Sequence, residues 1–425
     1  MAKEVLQIFK SLHSRNYRLY FIGQGISLIG TWMQNIALSW LVYRLTGSVF
    51  LLGLVGFTSQ IPTLLLTPVS GVVTDRFNRL GILKLTQISY MILALSMTLL
   101  VMLNLVSVWH IIVLSVLAGI VTAFDAPARQ SLVIDLIDHP EDLGNAIALN
   151  SAIFNGARLI GPAVAGITIA AVGEGICFLL NTLSFIAVLV ALIQIRVREK
   201  KAVLHLENFK KSFAEGFHYT FQSFPIRTLI LLLALMSLTG ISFTVLLPAY
   251  AKEILHGGSD TLGYLMSALG AGALIAALYM ASRKTVIGLG RNIAMSIGAL
   301  TMAIILASFS RNLYVSYIWC FFGGLSMILL LSSINTLLQT ITDEDKRGRV
   351  MSFYAMALMG TTPIGNLIAG WIASKTGIPH TLLIFGIITF GTGIWFSLSL
   401  RTFRRYVRPI YIEKGILPGL PDEIV

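Results

Sequence analysis

The sequence predicts an all-α membrane protein of twelve transmembrane helices, arranged as two six-helix halves related by pseudo-two-fold symmetry. Three observations predict it. The first is composition: of 425 residues, 56% are hydrophobic and only 12% charged, where soluble domains carry about 25% charged residues. Uncharged runs of the roughly 20 residues needed to cross a bilayer recur along the whole chain. The second is where the charge lies. Of 31 lysines and arginines, 26 fall on one side of the membrane if the runs alternate in direction, and such asymmetry sets orientation by the positive-inside rule. The third is an internal repeat. A shift of 204 residues brings Gly161–Gly166 (GPAVAG) onto Gly365–Gly370 (GNLIAG), Gly144 onto Gly348, and the acidic stretch at 138–142 onto TDEDK at 342–346.

Taken in order, hydropathy places spans at 17–43, 49–73, 82–104, 109–130, 143–171 and 175–195 in the first half. It places 226–250, 261–282, 292–310, 313–340, 349–374 and 379–400 in the second. The division is therefore 1–195 for the N-terminal half, 196–224 for a linker, 225–400 for the C-terminal half and 401–425 for a tail. An even number of spans leaves both termini on the basic side, which the positive-inside rule makes cytoplasmic. The expected location is the cytoplasmic (inner) membrane. The first 20 residues are charged and lack an apolar core with a small-residue cleavage site, so they do not read as a secretory signal. In the linker, Phe209, Phe213, Phe217 and Phe221 recur every fourth residue beside Lys210 and Lys211. That pattern suits an amphipathic helix on the membrane surface, or simply a spacer helix.

Several function classes fall away. The net charge of +12 invites a nucleic-acid reading, but the basic residues sit at span ends, so no nucleic-acid partner is expected. Cys177 and Cys320 lie in separate apolar runs and the seven histidines are scattered, so neither a disulfide framework nor a metal site is expected. No phosphate loop is present and no nucleophile–base constellation emerges. The chain is not expected to be an enzyme or to carry a cofactor.

The polar residues inside spans are the candidate functional residues. Ser151, Asn155 and Arg158 share one face of the fifth span. Arg158 lies about 22 Å along that helix, where an arginine costs at least about 2.5–3.5 kcal/mol and faces a cavity or a partner. It either lines a central cavity and attracts anionic groups, or serves as a structural cation. Gln24, Ser27, Thr31, Gln34 and Asn35 form a polar face on the first span. These side chains suit a cavity, or the gluing of helices. Tyr354, Thr362 and Asn366 are the second-half counterparts of the fifth-span stripe. Asp125 and Arg129, in FDAPARQSL at the close of the fourth span, are spaced for an i,i+4 ion pair at the membrane edge. Apart from Asp125, no acidic residue lies deep in a span, and Glu174 and Glu253 fall at the outer face.

The loop Gly71–Arg79 (GVVTDRFNR) joins the second and third spans. It resembles the G-x-x-x-D-R-x-x-R signature of the major facilitator superfamily at Gly71, Asp75, Arg76 and Arg79, although Phe77 and Asn78 stand where a glycine is usual. Gly156, Gly161, Pro162 and Gly166 resemble the glycine-flanked GP motif that kinks the fifth helix of drug exporters. With D-x-P-A-R-Q and N-x-A-R-x-I-G-P-A-x-A-G, the chain is most similar to the branch holding enterobactin exporters and macrolide efflux proteins. The resemblance implies that Asp75 latches the eleventh span in one access state, and that Asp75, Arg79 and Asp125 form a charge relay with Arg129 beside it. It also implies that first-span residues line the cavity. The expected function is secondary active export of a partly apolar small molecule, a drug or siderophore, by alternating access and proton antiport, in a monomer. A lipid or lysophospholipid flippase of the same fold is the alternative. A non-transporting receptor or scaffold is the alternative of another class.

Overall fold

The computed structural model describes residues 10–196 and 209–417, and among these every regular element is helical. The first half holds α1 (Arg15–Thr46), α2 (Val49–Arg76), α3 (Arg79–Met102), α4 (Val108–Asp135), α5 (Leu143–Val172) and α6 (Glu174–Gln194). After α7 (Phe209–Gln222) come α8 (Phe224–Leu235), α9 (Ser259–Ser282), α10 (Leu289–Phe309), α11 (Leu313–Ile341), α12 (Arg347–Thr376) and α13 (Ile378–Glu413). Among the described residues eleven spans are long and apolar enough to cross a membrane. The twelfth, α1, has 32 residues and is long enough, but Gln24, Thr31, Gln34 and Asn35 dilute its apolar content. The chain is a multi-pass membrane protein.

Short connections fix the antiparallel order, and local chemistry marks several helix ends. Ser48, Asn78 and Asn312 cap α2, α3 and α11, each side chain accepting from backbone N–H groups of the first turn. Gly173 and Gly377 end α5 and α12 at φ of 85° and 83°, a conformation that strains residues bearing a Cβ. They too stand 204 residues apart, so the repeat extends to the turns.

The two halves pack alike. In the first, α1 lies on α5 and α6, α2 on α4, and α3 on α4 and α6. In the second, α8 lies on α12 and α13, α9 on α11, and α10 on α11 and α13. The halves meet along two seams, α5 against α9 and α2 against α12. Glycine sets both near the face opposite the basic loops, here the far face. A Cβ on Gly263 would lie 2.8 Å from Gly166 Cα, and one on Gly53 would lie 3.0 Å from Gly370 Cα. The helices touch backbone to backbone at two symmetry-related points, as small residues permit.

Three elements differ from the hydropathy reading. The fourth span continues five residues further, to Asp135, passing through Pro127 without ending. The twelfth continues to Glu413 instead of stopping at 400. Its charged extension leaves the hydrocarbon but stays helical because Phe403, Val407 and Tyr411 bury one face. The seventh span is broken. After α8 the chain runs through a π turn (Met236–Ile241), a 3-10 turn (Ser242–Leu246) and a second π turn (Tyr250–Ile254). There Ser242 Oγ donates to Ser237 O at 2.8 Å and to Thr362 O of α12 at 3.1 Å.

Candidate functional site

The basic face is assembled first. Lys10 bridges Asp142 at 2.8 Å and Glu141 at 3.2 Å. Asp142 first, and then Glu141, hold its ammonium above the usual lysine range. Ser11 Oγ donates to Asn145 Oδ1 at 2.7 Å, and Tyr17 Oη to Ala146 O at 2.8 Å. The start of α5 is thereby tied to the chain leading into α1.

The hairpin loop does not form the expected relay through Asp125. Arg79 Nη1 pairs with Asp135 Oδ2 at 2.9 Å. The reason is depth: Arg79 opens α3 and Asp135 closes the antiparallel α4, so both sit at the same level. Asp125 lies ten residues, about 15 Å, further in. Arg76 is exposed, and a Cβ on Gly71 would meet nothing within 4 Å. The side chain of Asp75 lies outside the described residues, as do those of Phe209, Lys210, Lys211 and Phe213 in α7.

Asp125 is not at a membrane edge. It is 2% exposed, inside the first half. Its Oδ2 pairs with Arg129 Nη2 at 2.9 Å, and its Oδ1 accepts from Thr86 Oγ1 at 2.9 Å and Gln87 Nε2 at 2.8 Å. Such a buried pair is tolerable only because its other lone pairs are also satisfied.

Arg158 sits where both halves meet. Its guanidinium lies 5.7 Å from the Trp32 ring centroid on α1, and Nη2 is 3.9 Å from Met327 Sδ on α11. Trp32 in turn meets Phe154 edge-on at 5.9 Å. Among the described residues no carboxylate faces Arg158. Its backbone carbonyl is also special, because Pro162 removes the N–H that it would accept inside the helix. Gly270 of α9 packs over that carbonyl, and Ser267 Oγ donates to Leu159 O at 3.0 Å. α5 nonetheless runs unbroken through Pro162. Gly161 seats α5 on α1, where an added Cβ would lie 2.5 Å from Trp32 Cβ and 3.2 Å from Ile29 O, while Gly156 faces open space.

The remaining cavity residues divide. Ser151 is exposed, and Asn155 Nδ2 donates back to its carbonyl at 2.8 Å. Asn35 is exposed and Thr31 Oγ1 donates to Ser27 O at 2.9 Å. Gln24 is buried, and Gln34 Oε1 accepts from Asn181 Nδ2 of α6 at 2.6 Å, so this part of the α1 stripe joins helices within one half. Tyr354 is half-buried and Thr362 Oγ1 bonds Leu358 O at 2.7 Å. Asn366 is buried in the α2–α12 seam, where a Cβ on Gly56 would lie 3.1 Å from its Nδ2.

The far face is held shut across the halves. Tyr43 Oη of α1 donates to Glu253 Oε1, and Lys252 lies 5.9 Å from the Trp40 ring centroid. Ser259 Oγ donates to Gly166 O at 3.3 Å. Within the first half Arg44 pairs with Glu174 at 2.7 Å. Toward the basic face, Gly144 of α5 and Gly348 of α12 have nothing within 4 Å of an added Cβ. The seams are thus tied from the far face to mid-depth, and Arg158 stands at their inner limit.

Residues 7–405 match the family model described as transmembrane secretion effector. The chain belongs to this family of the major facilitator superfamily. It is a membrane transporter and not an enzyme. The Staphyloferrin A transporter of Staphylococcus aureus is 27% identical over 376 residues, covering 88% of this chain and 93% of that protein. The multidrug efflux pump Tap of Mycobacterium tuberculosis is 26% identical, covering 88% of each. Macrolide efflux protein A of Streptococcus pyogenes is 21% identical, covering 88% of this chain and 94% of that one. Among solved structures, a bacterial homologue of the iron transporter ferroportin in an inward-facing state superposes with TM-score 0.70 at 18% identity, covering 92% of this chain and 98% of that chain. A bacterial homologue of the lysosomal transporter Spinster, inward-facing and unoccupied, gives TM-score 0.69 at 14% identity, covering 92% and 98%.

Sequence reasoning missed Asp135, the broken seventh span and the docking of α7. In that docking Glu215 Oε2 pairs with Arg349 Nη1 at 2.6 Å, Tyr219 Oη donates to Asp343 Oδ2 at 2.9 Å, and Phe217 and Phe221 meet the Phe353 ring. Burial pushes the Tyr219 hydroxyl up. Counting residues from each helix end would have found Asp135.

Proposed function

We propose that this transporter exports a partly apolar small molecule bearing an acidic or electron-rich group, by rocking its two halves about the glycine seams. The observation that carries the reading is Arg158, a cation without a carboxylate partner among the described residues, set between Trp32 and Met327 where the halves meet. An arginine there supplies a forked donor for an anionic group, and the surrounding rings and thioether suit apolar cargo. The efflux relatives support export, and the far-face ties support a state open toward the basic loops. With the basic side cytoplasmic, in the inner membrane, this is the state that loads cargo from the cell. Export is driven by proton antiport in a monomer, with buried Asp125 as the exchangeable carboxylate and Arg129 as its counter-charge. The proton gradient serves in place of any cofactor. Asp75, Arg76 and Arg79 act with Asp135 as the basic-side latch.

The test uses purified protein in proteoliposomes with an internal pH dye and an imposed pH gradient. Catecholate and carboxylate siderophores, macrolides, cationic dyes and lysolipids are added singly. Proton flux is expected with one cargo class, and its loss is expected in Arg158→Ala. Cargo movement without proton flux would overturn antiport, and movement of lysolipid alone would favour a flippase.

A further inference from the structure

We infer that the extension of α13 beyond the bilayer core is a binding site for anionic phospholipid headgroups. α13 spans 36 residues, about 54 Å at 1.5 Å per residue, against a hydrocarbon core of about 30 Å. Arg401 lies 23 residues after Ile378, roughly 35 Å along the helix, and Arg408 about 10 Å further. The arginines therefore start at headgroup depth on the basic face.

Their direction is fixed by the helix. Ile387, Ile394 and Leu398 are exposed along one stripe, Leu398 to 77%, and this stripe faces lipid in the membrane. At 3.6 residues per turn, Arg401, Arg405 and Arg408 continue the same stripe, with Arg404 at its edge. The opposite side is held to the second half. Phe403, Val407 and Tyr411 are buried, Tyr406 meets Phe224 at 5.3 Å between ring centroids, and Lys414 Nζ donates to Thr340 O at 2.8 Å and Thr342 O at 2.9 Å. The helix cannot turn its arginines inward without breaking that packing.

Side chains of Arg401, Arg404, Arg405 and Arg408 line a shallow, open groove of about 700 Å³ with Pro409 and Ile412. Glu413 is the acidic residue at its end. Among the described residues none of the four arginines has an ion-pair partner. Guanidinium forks match phosphate oxygens two at a time, and the groove lies where the lipid-facing stripe meets the headgroup layer. A phospholipid satisfies both parts, its chains along Ile394 and Leu398 and its phosphate among the arginines.

The experiment is native mass spectrometry of the full chain released from mixed micelles of phosphatidylglycerol and phosphatidylcholine. Wild type is expected to retain phosphatidylglycerol preferentially, and occupancy to fall about fivefold for each arginine replaced by glutamine. Arg401→Gln/Arg405→Gln is the primary variant, and Lys284→Gln/Arg291→Gln on the same face controls for total charge. If the primary variant does not insert, Arg405→Gln alone is read against the same control. Equal phosphatidylglycerol retention by variant and wild type overturns the proposal, as does an equal loss in the control. Displacement of the lipid by millimolar inorganic pyrophosphate, with pyrophosphate retained in its place, overturns the lipid assignment in favour of a soluble polyanion.

Discussion

Gly263→Ala sets a methyl group where the backbone of α5 already lies. The new Cβ would sit 2.6 Å from Pro162 O and 2.8 Å from Gly166 Cα, where carbon contacts prefer about 3.5–4.0 Å. Both obstacles are main chain and cannot rotate away, so the helices must part by about 1 Å. Overpacking of this kind costs about 1–3 kcal/mol. The cost falls only on the conformation whose far-face seam is closed, because the methyl is free once α5 and α9 separate. An energy of that size multiplies the open-to-closed ratio by about 5–150. Gly53→Ala, against Asn366 O and Gly370 at the symmetry-related seam, is expected to act alike. The assay is pulsed electron–electron distance measurement between spin labels at Leu105→Cys and Tyr314→Cys, exposed on opposite halves of the far face, with Cys177 and Cys320 replaced by serine. The longer distance should gain population in both variants. Unchanged distributions would refute the reasoning. So would an equal shift from Gly348→Ala, whose Cβ meets nothing within 4 Å.

Arg158→Ala is expected to raise the apparent KM for acidic cargo at least about tenfold, the worth of a lost charge-assisted bond. Its melting temperature should stay level, since an intramembrane cation is costly to keep; a melting temperature that drops with KM unchanged would make Arg158 structural. Asp125→Leu strands Arg129 and should destabilise by about 3–5 kcal/mol, while Asp125→Leu/Arg129→Leu recovers most of that loss; denaturation in a fixed detergent reads both, and equal losses would refute coupling. Glu215→Arg breaks the α7–α12 ion pair, which is partly exposed and worth at most about 1 kcal/mol. It should speed proteolytic nicking of α7, with Arg349→Glu added in the same chain restoring protection; no restoration would show that the pair does not hold α7.

Legibility varied with how local each feature is. Span number and placement were readable because burial in lipid imposes a run length on the sequence itself. The repeat was readable because glycines at close helix contacts resist substitution, and one offset links Gly161 and Gly166 to Gly365 and Gly370. The family resemblance puts Asp125 in the relay, and hydropathy ends the fourth span at residue 130, just past Pro127. The helix absorbs the proline, and ten further residues bring Asp135, not Asp125, level with Arg79. The α1 stripe looked uniform, yet Gln34 turns to Asn181 while Asn35 stays exposed. One residue is 100° of helix rotation, and packing sets that rotation.

By itself, the sequence determined the membrane class, the twelve spans, their basic-face asymmetry and the two-fold repeat, because hydropathy and periodicity are properties of a line. Tertiary structure decided which charges meet, how far α4 and α13 continue, where the seventh span breaks, and that the far face is closed by two pairs of glycines. Those features depend on the depth and rotation of one helix against another. Side-chain packing between residues far apart in sequence fixes both.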